Sequence, residues 1–190
     1  MPTKYRKGFK VDAESIAEEL RVELKVGNIR ALDPMAAARA LEIPVLSLAQ
    51  LRAVRPQDSS LEEAVRVLYG PEQSSLSAVT VFLGTKRLIV YNQQHDAGRQ
   101  ASDICHELAH GLLFHEPAPM LDDIGCRSWN SEMEQEADYL GGALLIPGKG
   151  ARYAAKAGLT DEETARRFRC SREMATWRLN ESGGRKLAPR

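Results

Sequence analysis

Ile16, Leu20 and Leu24 recur every four residues between Asp12 and Val26, the spacing that lines one face of a helix. Gly27-Asn28 ends that pattern. A second helix is expected from Asp33-Pro34, where an aspartate can cap and a proline fits the first turn, through an alanine-rich run to Leu41. Ile43-Pro44-Val45 breaks it into an extended connection. Ser59 to Tyr69 has the capped start of a short helix. The period then changes. Ala78 to Leu83 and Arg87 to Tyr91 are dense in Val, Ile, Leu and Phe and flank Gly84-Thr85-Lys86, which predicts a β-hairpin.

A polar stretch from Asn92 to Arg99 leads into a helix with Ile104, Leu108, Leu112 and Leu113 on its apolar side. Pro117 and Pro119 end it and open a polar loop to Asn130. A further helix is expected from Ser131 to Ile146, stopped by Pro147-Gly148. Thr160-Asp161-Glu162-Glu163 caps the next helix and gives it an acidic first turn. Ala165, Phe168, Cys170, Met174 and Leu179 then fall at the spacing of a helix-turn-helix core, with Ser171 capping its second helix. The expected fold class is α+β: a small, partly antiparallel sheet packed on the histidine-bearing helix, with helices before and after. Residues 1–150 are expected to form the principal domain, 151–182 a helix-turn-helix-like appendage, and 183–190 a disordered tail.

With 190 residues and 43% of them apolar, the chain can build one sizeable core. Formal net charge is zero, so no global field draws nucleic acid or membrane. The basic residues gather late: Arg166 to Arg190 holds eight of them against two acids. Cys105, Cys126 and Cys170 are an odd set without C-x-x-C spacing, which suits a reducing compartment. The polar, basic run Met1 to Lys10 leads into no apolar stretch, and nothing is long and apolar enough to span a bilayer. A soluble, cytoplasmic chain is expected.

His106-Glu107-Leu108-Ala109-His110 carries the strongest chemical signal. Residues four apart on a helix share a face, so both imidazoles can meet one ion. Glu107 lies beside that ion without taking a ligand position, and its carboxylate can accept a proton from an activated water and pass it to a leaving amine. The alternative is a pair of helix histidines that only satisfy polar neighbours. With four histidines in the chain this spacing is rarely met by chance, and the apolar flank of the helix can bury a site.

A catalytic zinc keeps three protein ligands and an open position. His115 follows His110 by five residues, about 140° around an ideal helix, and is not expected to face the same ion. The x-x-G-x-x-H extension that returns a third histidine is absent. The downstream helix offers Glu132, Glu134 and Glu136. Glu134 and Asp138 are four apart, so Glu134 can bind the ion while Asp138 orients a ligand histidine. Glu136 points to roughly the opposite side, and Glu132 falls toward the loop. Glu134 is preferred, with Glu136 the alternative; zinc is the expected ion, with manganese compatible with the same ligands. Tyr153, Tyr139, His95 and His115 are candidates for an oxyanion stabiliser and equally for ordinary surface or packing residues. Cys105 points about 100° from ligand His106 and is read as core.

These residues resemble the ImmA/IrrE family of metallopeptidases, whose pattern is a hairpin, H-E-x-x-H, then an E-x-E-A-N-x-F-A-x-x-L-L-x-P helix. The run Glu134 to Pro147 is similar to that helix, with Asp138 in place of Asn and Leu140-Gly141 in place of Phe-Ala. The Glu134-x-x-x-Asp138 pair is also similar to the third-ligand helix of other gluzincins. The resemblance covers residues 78–147 well. It implies a zinc endopeptidase with Glu107 as general base and an edge strand that holds substrate extended. It also implies a helix-turn-helix transcriptional repressor as substrate, cut so that its genes are switched on, in phage, mobile-element or stress-response regulation.

The C-terminal helices admit a second reading. Helix-turn-helix units can read DNA, and the second helix carries Arg172 and Arg178. The turn position usually filled by glycine is Arg169, however, and a structural or partner-binding role is preferred over DNA binding. A rival class is a non-proteolytic regulator that binds a repressor or DNA around a structural zinc; the intact Glu107 argues against it. Membership of a toxin–antitoxin pair fits the same residues as the peptidase reading.

Overall fold

A computed structural model describes residues 5–53, 77–83, 86–115 and 131–187. The elements run α1 (Phe9–Glu23), α2 (Pro34–Ala40), β1 (Val45–Ser47), α3 (Leu48–Ala53), β2 (Ala78–Leu83) and β3 (Lys86–Tyr91). They continue with α4 (Ala97–Leu112), α5 (Ser131–Leu145), α6 (Gly148–Lys156), α7 (Asp161–Phe168) and α8 (Arg172–Glu181), closing on a 3-10 turn at Gly184–Leu187. The fold is α+β, as the sequence pattern predicts. The short helix expected over Ser59 to Tyr69 and the loop expected from Pro117 to Asn130 lie outside the described residues. The expected disordered tail begins with that 3-10 turn, and 188–190 lie outside the described residues.

The sheet has the order β1-β3-β2. β2 and β3 form the expected antiparallel hairpin, in the register Ala78↔Tyr91 to Leu83↔Lys86. The extended connection after Pro44 turns out to be a strand: β1 pairs parallel to β3, Val45↔Ile89 to Ser47↔Tyr91. The sheet alternates as a half-buried strand must. Leu88 and Val90 face a small core with Leu48 and Leu51 of α3, joined by Val79 and Val81. Ile89 faces the opposite way, into the main core with Ile104, Cys105 and Leu108 of α4. The sheet is thus held between α3 and α4.

The main core is built by α1, α4 and α5. Helix α1 starts a turn earlier than the Ile16-Leu20-Leu24 stripe suggests, with Gly8 in the left-handed region as its N-cap. Its buried face is Phe9, Ala13, Ala17 and Leu20, while Ile16 and Leu24 sit half-buried on the flank. The alanines let α5 approach closely; α5 itself is buried almost without a break from Tyr139 to Ile146. Pro147 ends α5 and at once caps α6, a helix that the glycines at 148 and 150 conceal in the sequence. Helices α7 and α8 form the expected pair, with the expected caps at Thr160 and Ser171; the Glu163 side chain also accepts from the Thr160 amide, completing a capping box. Arg169 adopts the left-handed conformation, φ 55°, that a turn glycine would take more readily. Among the described residues no helix is long and apolar enough to cross a membrane.

Candidate metal centre

Helix α4 starts at Asp96, whose carboxylate accepts the Arg99 amide and fixes where the first turn begins. From that start, Ala101, Ile104, Cys105, Leu108 and Ala109 face inward, and His106, Glu107 and His110 fall half-buried at the margin of the core. Helix α5 packs along this margin. Its contact stripe is Glu134, Asp138 and Gly141, spaced i, i+4 and i+7. At Gly141 the two backbones come so close that a Cβ would lie 3.0 Å from the His106 Cα and N atoms. This approach sets the carboxylates of α5 beside the imidazoles of α4.

Three side chains converge there. His106 Nε2 and His110 Nε2 are 3.1 Å apart. Glu134 brings Oε2 to 3.3 Å from His106 Nε2 and Oε1 to 3.7 Å from His110 Nε2. A tetrahedral zinc with bonds of about 2.0–2.1 Å needs ligand atoms about 3.3 Å apart, so the donor set and its spacing fit that ion. Two imidazoles and one carboxylate are also a known catalytic zinc set that leaves a position open. The three side chains form a group able to hold a metal.

Each group is held from behind. Asp138 Oδ1 lies 3.0 Å from His106 Nδ1, so the ring's other nitrogen is directed to the centre. Burial opposes a charge on His106, but hydrogen bonds to Asp138 and Glu134 and the nearby Glu107 charge outweigh it, and its pKa is pushed up to about 10. Hydrogen bonds from His106 and His110 hold the Glu134 carboxyl down, to about 2. Burial and the neighbouring His110 press His115 downward, toward the neutral ring.

Glu107 stands outside the ligand group. Its Oε2 accepts a hydrogen bond of 2.6 Å from Thr80 Oγ1 on β2. Val79 and Val81 point to the α3 side of the sheet, so the alternation of the strand delivers Thr80 to α4. Glu107 is thereby tied to β2, which among the described residues is an outer strand of the sheet.

The structure brings together His106, His110 and Glu134, with Glu107 beside them on α4 and Asp138 against the far nitrogen of His106. Glu136 takes no part in the three-donor group; its carboxylate meets Arg6 at 3.4 Å and His115 at 3.5 Å. Of the other candidates, Tyr139 packs against Tyr5, Phe9 and Trp177 and donates to Glu14, and Tyr153 lies under Arg167. His95 pairs with Asp103. Only His115 touches the centre, and as a neighbour of His110: their Nδ1 atoms are 3.0 Å apart. Cys105 is buried, with its thiol pushed well up by desolvation, as suits a core residue rather than a nucleophile.

The sequence matches the family model of the peptidase M78 family, described as an IrrE N-terminal-like domain, over residues 62–180. That span is more than half of the chain and includes His106, Glu107, His110, Glu134 and Asp138. No curated protein matches the chain.

Proposed function

The chain belongs to the peptidase M78, IrrE N-terminal-like family, and from this premise we propose that it is a zinc-dependent endopeptidase whose substrate is a helix-turn-helix transcriptional repressor. The observation that carries the reading is the arrangement at α4: three donors at tetrahedral spacing, and beside them a carboxylate that is not one of the donors. A structural zinc site needs no such base. A zinc ion held by His106, His110 and Glu134 would polarise the scissile carbonyl and lower the pKa of a water toward neutrality.

Glu107 accepts the proton of the attacking water at its carboxylate and returns it to the leaving amine. Thr80 holds that carboxylate in place by its donated hydrogen bond. Asp138 fixes His106 in the tautomer that leaves Nε2 free to bind. Among the described residues β2 is paired on one side only, by β3. An extended peptide added to its other edge would run past Thr80 and so past the base. Main-chain pairing of this kind demands little of the substrate's sequence. The repressor substrate and the regulatory role rest on the family resemblance.

The experiment is co-expression with a candidate repressor, following its length on a gel and the output of its promoter. Glu107→Gln preserves size and most hydrogen bonding while removing the proton acceptor. Zinc content and folding should stay near those of the parent, and proteolysis should fall on the order of a hundredfold to ten-thousandfold. If Glu107→Gln relieves repression as the parent does, with the repressor at full length, the peptidase reading fails and the zinc is structural.

A further inference from the structure

Helix α4 does not simply stop after Leu112. The Phe114 amide donates to Gly111 O at 3.1 Å and the His115 amide to His110 O at 3.0 Å. Counted from the cap at Leu113, these are the two bonds of a Schellman reversal. The residue in its left-handed position is Phe114, φ 53° and 86% exposed, where glycine is usual. The reversal folds His115 back against the helix it has just left. There it is 8% exposed, and Arg87 of β3 donates to its carbonyl at 3.0 Å.

The hydrogen positions follow from the directions of the rings. His110 turns Nε2 to the donor group, where a ligand nitrogen must present a lone pair, so its hydrogen sits on Nδ1. That nitrogen faces His115 Nδ1 at 3.0 Å, which must therefore accept. The His115 hydrogen is then on Nε2, directed to Glu136 Oε2 at 3.5 Å. Glu136 is held in turn by Arg6. On the other ligand, Asp138 receives the Nδ1 hydrogen of His106 directly. The two ligand histidines are thus backed by carboxylates in different ways, one in direct contact and one through a second imidazole.

We propose that His115, backed by Glu136, is a positioning residue for the metal centre, fixing the tautomer and ring orientation of His110 by accepting its Nδ1 hydrogen. The inference rests on the metal centre proposed above. It gives a role to a histidine that helical geometry alone turns away from the ion, and to the glutamate that does not enter the donor group. Groups that orient a ligand in this way commonly matter to affinity by one or two orders of magnitude.

Zinc affinity of the full chain, read by competition with a chromophoric chelator, tests it without any substrate. His115→Phe keeps the backbone reversal and the bulk but removes the acceptor; affinity should fall about 10- to 100-fold. His115→Asn places an amide oxygen near the former Nδ1 and should recover most of the loss. Glu136→Leu, at the far end of the chain of contacts, should weaken binding, and Glu136→Gln, which still accepts, should not. In the zinc-loaded parent labelled with 15N, a coupling between His110 Nδ1 and His115 Nδ1 across the hydrogen bond is expected, whatever the fate of the variants. An unchanged zinc affinity in His115→Phe, or absence of that coupling, overturns the role of His115 and leaves the metal centre standing. A parent that takes up no zinc overturns the centre itself and this role with it.

Discussion

Glu134 and Glu136 differ by two positions on one helix and by their partners. Glu134 meets His106 and His110; Glu136 meets Arg6 and His115. Glu134→Gln removes a charged donor from the centre, so zinc affinity measured by chelator competition should drop far more than in Glu136→Gln. The reverse ranking would make Glu136 the ligand. This division was legible in the sequence because a helix has one phase, and the i, i+4 pairing of Glu134 with Asp138 sets it. His106, Glu107 and His110 were legible for the same reason. Thr80 and His115 were not. Thr80 reaches Glu107 from 27 residues away across the sheet, and no local pattern encodes that meeting. His115 fails the helical arithmetic because the chain has left the helix, through a phenylalanine that gives no sign of a left-handed turn.

At the scale of elements, the centre exists because α4 and α5 nearly touch. Glycine at 141 permits it, since any side chain there would press on the His106 backbone. Gly141→Val should drive the helices apart, lower zinc affinity and cost about 1–3 kcal/mol of stability, as overpacking does. Chemical denaturation and chelator competition read the two effects. A variant with parental zinc affinity would mean that the centre tolerates a wider spacing than this packing implies. Glycines also explain an element that the sequence hides. Gly148 and Gly150 read as breakers, yet they lie in α6. A Cβ at Gly150 would come 2.5 Å from Asn28 O, so this glycine serves the packing of a helix rather than its ending. The pairing of β1, which reads only as an extended connection, and helix α3 are hidden for another reason: three and six residues are too few to show a period.

Over the whole molecule, the residue that decides how the C-terminal helices relate to the rest is Arg178. Its guanidinium is fully buried, donating from Nε to Ile146 O at 2.9 Å and from Nη2 to Glu14 Oε1 at 2.7 Å, under the ring of Tyr139. Glu14 also accepts the Gly148 amide, so one ion pair joins α1, the α5–α6 junction and α8. An arginine so placed cannot reach a DNA duplex, and Arg172 and Arg185 are paired with Glu162 and Asp161. Three of the eight basic residues of this segment, Arg172, Arg178 and Arg185, are thus paired with acids within the fold. Arg178→Met keeps the apolar stem but leaves Glu14 beside a buried junction without its cation. Removing one partner of a buried pair costs about 3–5 kcal/mol, and the partial exposure of Glu14 places the expected loss near the lower end, about 3 kcal/mol. Because the pair ties the first helix to the last, the loss should appear in a single transition, with zinc release and loss of helix coinciding on denaturation. If α7 and α8 melt first while the centre keeps its zinc, residues 151–182 are an independent appendage after all, and the ion pair is only a surface on which they rest.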